Sequence, residues 1–113
     1  MNALQKDLSA GQYENLPLKM NTIHWCPSQR ALYAEPWSVR FTPTEYRLLF
    51  PLRHGYPMSY AQLAMMVYNC SIDAKVREMM DKHMDHIRGK LEGVGLYVYC
   101  VFGYGYVLLP SNT

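Results

Sequence analysis

The segment over residues 23–41 contains short hydrophobic runs that are typical of β-strands. Residues 37–41 alternate between large apolar and polar side chains, the pattern of a half-buried strand. Two shorter apolar runs precede it, at residues 23–25 and 32–33. Turn-forming residues at 27–29 and 35–36 separate the three runs. The sequence therefore predicts a small antiparallel sheet at the N-terminal side of the domain.

Two capping signals then indicate two consecutive helices. Residues 42–45, Thr-Pro-Thr-Glu, place Thr at the N-cap, Pro at the first helical position and Glu at the third. The apolar pattern behind them runs to Leu52 and is expected to end near Gly55, with Pro51 shortening the last turn. A second capping box, at residues 59–62, opens the next helix. The buried face of that helix is predicted to consist of Leu63, Met66 and Val67.

The longest periodic segment, residues 73–92, predicts a third helix. Its apolar positions recur every three or four residues, which is typical of an amphipathic helix. They are Val76, Met80, Met84, Ile87 and Leu91. Residues 96–102 and 106–109 are rich in β-branched and aromatic side chains and flank a glycine-rich turn, which predicts a β-hairpin. The predicted fold is α+β: a winged helix-turn-helix with an N-terminal antiparallel sheet, three helices and a C-terminal hairpin as the wing.

Three segments, taken in order, carry a family resemblance. Residues 41–49 read FTPTEYRLL, residues 81–91 read DKHMDHIRGKL and residues 98–108 read VYCVFGYGYVL. They resemble the OmpR/PhoB-type effector domain of response regulators, over about residues 18–110. The resemblance implies a four-stranded N-terminal sheet, a recognition helix in the major groove of DNA and a wing at the adjacent minor groove. It also implies binding to direct repeats.

The sequence departs from the family at its DNA-facing positions. Asp85, His86 and Gly89 stand in the helix where the family often carries arginine, and Phe102 replaces the arginine of the wing. No receiver domain precedes the module, so the resemblance predicts a stand-alone effector.

Length and composition agree with one folded domain. The chain has 113 residues, half of them hydrophobic, which is enough for one modest core. Residues 1–16 are polar and unpatterned and are expected to form a flexible leader, followed by the domain over residues 17–113. Three widely spaced cysteines and no signal peptide predict a cytoplasmic protein of bacterial type, associated with the nucleoid when bound. No apolar run is long enough to predict a membrane partner.

The candidate DNA-contacting side chains lie on the third helix and the wing. Lys82, Asp85 and His86 are predicted to face base edges, and Arg77, Arg88 and Lys90 to hold phosphates. Phe102 and Tyr104 are predicted to lie against the adjacent groove. His83, at the edge of the core-facing side, completes the set.

Charge sets how strongly such a domain binds. The net charge is only +2, and the five basic residues between positions 73 and 92 are balanced by five acidic ones. Since non-specific affinity comes mainly from neutralised phosphates, one copy should bind DNA weakly. A homodimer or a tandem array on repeated sites is therefore expected. RNA polymerase or another regulator is a further predicted partner.

Other interpretations remain open at this stage. The aromatic hairpin, with Tyr97 and Tyr99, is also typical of a protein–protein docking surface, which makes an interaction module the alternative function. Gly89 either permits close approach of a DNA backbone or lies in a fraying last turn. His83, His86 and Cys70 are too weak a pattern to predict a metal site. No catalytic group and no cofactor are predicted.

Overall fold

The computed structural model describes residues 19–111, so the predicted leader lies outside the described residues. Three short strands form the first sheet: β1 His24–Cys26, β2 Ala31–Ala34 and β3 Trp37–Arg40. They are antiparallel, in the order β1-β2-β3. The predicted N-terminal sheet is therefore confirmed, with three strands in the described residues instead of the four that the family resemblance implies.

The register of this sheet decides which side chains are buried. Trp25, Leu32 and Val39 lie side by side across the three strands, with Leu32 fully buried and the other two packed against the core. Trp37 is 49% exposed, so the predicted half-buried alternation is wrong at its first residue. Trp37 sits at the turn end of an edge strand, opposite Ala34, where only one neighbouring strand can cover it.

The first helix begins at its predicted capping box but ends before the predicted position near Gly55. Helix α1 spans Pro43–Leu49 and gives way to a 3₁₀ turn at Phe50–Leu52, where Pro51 shortens the α-helix. The Glu45 amide donates to Thr42 Oγ1 at 3.2 Å, and the Thr42 amide donates to Glu45 Oε1 at 2.9 Å. Both predictions, the capping box and the proline effect, are confirmed.

The second helix also opens on its predicted capping box, and two of its three predicted core residues, Leu63 and Val67, are buried. Helix α2 spans Tyr60–Leu63 and continues as a π-helical segment over Ala64–Tyr68. Its buried side includes Leu63, Ala64 and Val67, and Met66 is 57% exposed. The prediction of Met66 as a core residue is therefore wrong. Ala64 lies closer to the buried stripe, and apolar spacing alone cannot choose between two neighbouring candidates.

The third helix is the centre of the core. Helix α3 spans Ala74–Lys90, with Asp73 as N-cap accepting a hydrogen bond from the Val76 amide at 2.8 Å. All five apolar residues predicted to face the core are buried. Each such side chain stabilises the fold by about 1.5–3 kcal/mol. No helix within residues 19–111 is both long and apolar enough to cross a membrane.

The C-terminal hairpin forms the wing. Strands β5 Leu96–Val101 and β6 Gly105–Pro110 pair antiparallel, and the two-residue strand β4 Met58–Ser59 adds to β6, in the order β4-β6-β5. A Cβ atom on Gly105 would lie 1.8 Å from the Met58 carbonyl oxygen. Glycine is therefore required where β4 crosses the hairpin, in agreement with the predicted winged-helix layout.

Candidate nucleic-acid interface

The outward surface of α3 carries three exposed basic or imidazole side chains, Lys75, Lys82 and His86. An α-helix turns about 100° per residue, so Lys75 and Lys82 lie two turns apart on nearly the same face, opposite the buried stripe. Lys75 was not among the predicted contacts. Its seven-residue spacing from Lys82 is a sequence signal that identifies it. We call the surface of Lys75, Lys82 and His86 the outward face.

Arg88 fastens the helix to the wing. Its Nε donates to the Val98 carbonyl at 2.7 Å, and a second nitrogen donates to Asp85 Oδ1 at 2.7 Å. The guanidinium also lies 5.2 Å from the centre of the Tyr97 ring. Only 19% of the Arg88 side chain is exposed. Arg88 therefore joins α3 to β5 and also binds Asp85 on its own helix.

A second brace joins α3 to the wing near the middle of the helix. The buried Tyr106 hydroxyl donates a hydrogen bond to Asp81, and Arg77 forms an ion pair with Asp81 at 3.5 Å. The Arg77 guanidinium lies 3.6 Å above the Tyr60 ring. Burial, with the neighbouring Asp81 carboxylate, raises the pKa of Tyr106 far above its usual range. The phenol therefore stays protonated and remains a donor.

Lys90 points toward α1. Its ammonium group lies 2.6 Å from Oε1 of Glu45, which is only 4% exposed. Burial by itself would raise the pKa of Glu45, but hydrogen bonds from Lys90 and Thr42 more than offset it and the net pKa is lowered. Lys90 thus compensates the buried charge of the α1 capping residue. The capping box indicated Glu45 only as a cap, and its burial and its partner come from the tertiary structure.

These contacts divide the predicted site residues into two groups. Of the five basic residues of α3, three make ion pairs within residues 19–111, and Lys75 and Lys82 lie on the outward face. The predicted phosphate contacts of Arg77, Arg88 and Lys90 stay predictions, since each guanidinium or ammonium already has a protein partner.

The tip of the wing is apolar and exposed. Phe102 is fully exposed and Tyr104 is 45% exposed. The tip is closed by a hydrogen bond from the Tyr104 amide to the Val101 carbonyl at 2.9 Å. A second, from the Tyr60 amide to the Tyr104 carbonyl, holds it against the start of α2 at 2.9 Å. The structure thus places Phe102 and Tyr104 beyond the two braces, at the end of a fixed hairpin.

The histidines of α3 do not gather with other ligands. His83 is half-buried and His86 is exposed. Within residues 19–111, no three histidine, cysteine or acidic side chains lie close enough together to hold a metal ion.

Comparison of the sequence with protein-family models and with curated proteins finds no match. Solved structures do match. The DNA-binding domain of Bacillus subtilis CssR shares 23% identity and a TM-score of 0.61, covering 77% of this chain and 99% of that one. The DNA-binding domain of CpxR from E. coli shares 20% identity and a TM-score of 0.65, over 84% of this chain and 97% of that one.

A third structure is the Klebsiella pneumoniae RstA DNA-binding domain in complex with the RstA box. It shares 18% identity and a TM-score of 0.66, covering 84% of this chain and 98% of that one. The predicted winged-helix fold is therefore confirmed, and this chain has the fold of these DNA-binding domains.

Proposed function

We propose that this domain is a transcription regulator that reads double-stranded DNA, with α3 in the major groove and the β5–β6 wing against the adjacent groove. The observation that carries the proposal is the outward face, which presents two lysines and a histidine beside a wing fixed to the same helix. A solved structure of the same fold, RstA in complex with its box, supports DNA as the ligand.

The side chains of α3 then have separate roles. Lys82 and His86 face base edges, where a lysine can donate to the acceptors of guanine. Lys75 adds a cation on the same face. Asp85 is exposed next to His86 and accepts a hydrogen bond from Arg88. Arg77, Arg88 and Lys90 position the helix and the wing, and each must release a protein partner before it can hold a phosphate.

Few cations on the outward face mean weak binding by a single copy. Each neutralised phosphate changes the slope of log affinity against log salt by about 0.9. Two lysines on this face therefore predict a shallow slope for one copy. We propose that a homodimer or tandem array on repeated sites supplies the remaining phosphate contacts.

The test is fluorescence anisotropy of the protein with a pool of random duplexes at several salt concentrations, followed by sequencing of the bound fraction. We expect salt-sensitive binding and enrichment of a repeated motif. The Lys75→Ala, Lys82→Ala double variant should reduce the salt slope by about 1 per copy through the loss of Lys75 and should weaken the sequence preference through the loss of Lys82. Arg40→Ala, on the exposed edge of the N-terminal sheet, removes one positive charge outside α3 and should leave the slope nearly unchanged.

Absence of binding even at low salt, where non-specific phosphate contacts are strongest, would contradict the proposal. An equal loss of slope in Arg40→Ala and in the lysine variants would show that net charge matters and the outward face does not.

The alternative function is a protein–protein interaction module that docks through the wing. The observation in its favour is the exposure of Tyr97, Phe102 and Tyr104 on one hairpin. Docking of aromatic side chains depends little on salt, so the same titration separates the two functions.

A further inference from the structure

The tip of the wing places one large apolar side chain entirely in solvent. Phe102 buries none of its ring against the protein, although water contact of a phenyl ring is unfavourable relative to burial. We infer that Phe102 is a wedge that inserts partly between two base pairs and kinks the duplex beside the site of α3. This inference rests on the proposed function. It adds recognition of DNA sequence through the ease with which a base step can be kinked.

The wing has no charge with which to hold a phosphate. From residue 93 to residue 113 the sequence contains no lysine, arginine, aspartate or glutamate. Arg88, which reaches the base of the wing, donates to Val98 and to Asp85. Contact between the wing and DNA must therefore come from aromatic surface and from backbone or hydroxyl groups.

The position of the tip is fixed relative to α3. Cys100 pairs across the hairpin with Tyr106, whose hydroxyl is bonded to Asp81 of α3. Phe102 lies two residues beyond Cys100 in the chain, just past the end of β5 at Val101. The brace therefore fixes the offset between the ring of Phe102 and α3.

The composition of the outward face favours DNA over a protein at that surface. Lysine is depleted in the cores of protein–protein interfaces, whereas Lys75 and Lys82 lie exposed on the outward face. A duplex offers polar groove edges and phosphates to these lysines and an apolar base stack to Phe102. Partial insertion of apolar side chains between base steps is a known way to bend DNA, and it is cheapest at flexible pyrimidine–purine steps. We therefore expect such a step at a fixed offset from the bases that α3 contacts.

The experiment uses the full chain and bound duplexes carrying 2-aminopurine at successive positions, since the fluorescence of this base rises when it is unstacked. Wild-type protein should raise the signal at only one step in each repeat that a copy occupies. Phe102→Ala should abolish that rise and weaken binding roughly tenfold, as expected for loss of one aromatic stack, with an unchanged melting temperature because Phe102 packs against nothing. Phe102→Leu, which keeps an apolar wedge, should retain part of both effects. Tyr56→Ala, which truncates an exposed aromatic side chain outside α3 and the wing, is the matched control and should change neither the signal nor the affinity.

The two proposals fail in different ways. Salt-dependent binding without a 2-aminopurine signal at any step, and with full affinity in Phe102→Ala, overturns the wedge and leaves the proposed DNA-binding function in place. A protein that shows no salt-dependent binding to any duplex fails the proposed function, and the wedge with it.

Discussion

Replacing Lys90 with methionine separates packing from DNA contact at the end of α3. Methionine keeps most of the apolar length of lysine but removes the ammonium group that lies 2.6 Å from Glu45 Oε1. The buried carboxylate then keeps its bond from the Thr42 amide and loses its charged partner. We expect Lys90→Met to lower the free energy of unfolding and to leave the salt slope of DNA binding unchanged.

The expected size follows from the exposure of the two groups. A hydrogen bond to a charged group contributes about 1.5–3 kcal/mol. The value here lies toward the lower end, because the Lys90 side chain is 37% exposed and partly screened by solvent. Loss of a cation in the last turn of a helix adds about 0.3–1 kcal/mol. The sum is about 2 kcal/mol, which corresponds to a fall in Tm of roughly 8–16 °C for a domain of this size.

Urea unfolding followed by tryptophan fluorescence measures this change. Trp25 lies 6.2 Å from the Tyr46 ring and 5.9 Å from the Phe50 ring, so its emission reports the packing around α1. A double-mutant cycle of Lys90→Met with Glu45→Gln isolates the pair, since glutamine can keep the capping box. We expect a coupling energy of about 1–2 kcal/mol.

Lys75→Met, which changes an exposed lysine on the outward face, is the matched control. It should change stability by less than about 0.5 kcal/mol and reduce the salt slope by about 1. A Lys90→Met variant as stable as the wild type, or a coupling energy near zero, would refute the reasoning. A Lys90→Met variant of reduced salt slope would instead support the sequence-based prediction that Lys90 holds a phosphate.

Three further predictions concern the fold. The pKa of Glu45 is lowered in the folded state. Its contribution to stability is therefore complete above the ordinary glutamate pKa and is lost as the pH falls through the folded pKa. In an acid titration of unfolding free energy, Glu45→Gln should lack this loss. Gly105→Ala should destabilise the domain by more than about 3 kcal/mol, since its Cβ would overlap the Met58 carbonyl oxygen, and a small loss on urea unfolding would contradict this crossing. Gly89→Ala, with no atom within 4 Å of its Cβ, should stabilise α3 by about 0.5–1 kcal/mol; weaker DNA binding by this variant would show that Gly89 permits a close approach of the DNA backbone.

Local sequence signals predicted most of the fold. The capping boxes at residues 42–45 and 59–62 work through atoms three residues apart, so their chemistry is complete within the sequence window. The buried stripe of α3 repeats at the period of a helix. The wing hairpin is indicated by β-branched and aromatic residues on both sides of a glycine-rich turn. The errors fall where burial depends on neighbours distant in the chain, as for Trp37 at a sheet edge and Met66 beside Ala64.

The candidate site divides in the same way. The spacing of residues predicts that Lys82, His86 and Arg88 belong to one helix, and the residue types predict an apolar hairpin tip, because both signals are local. Which cations remain on the outward face depends on the packing of the elements. Arg88 is bonded to a backbone carbonyl ten residues away and Lys90 to a carboxylate 45 residues away. The partner of a charged side chain depends on how the elements pack, and no local pattern in the sequence identifies a partner so far away in the chain.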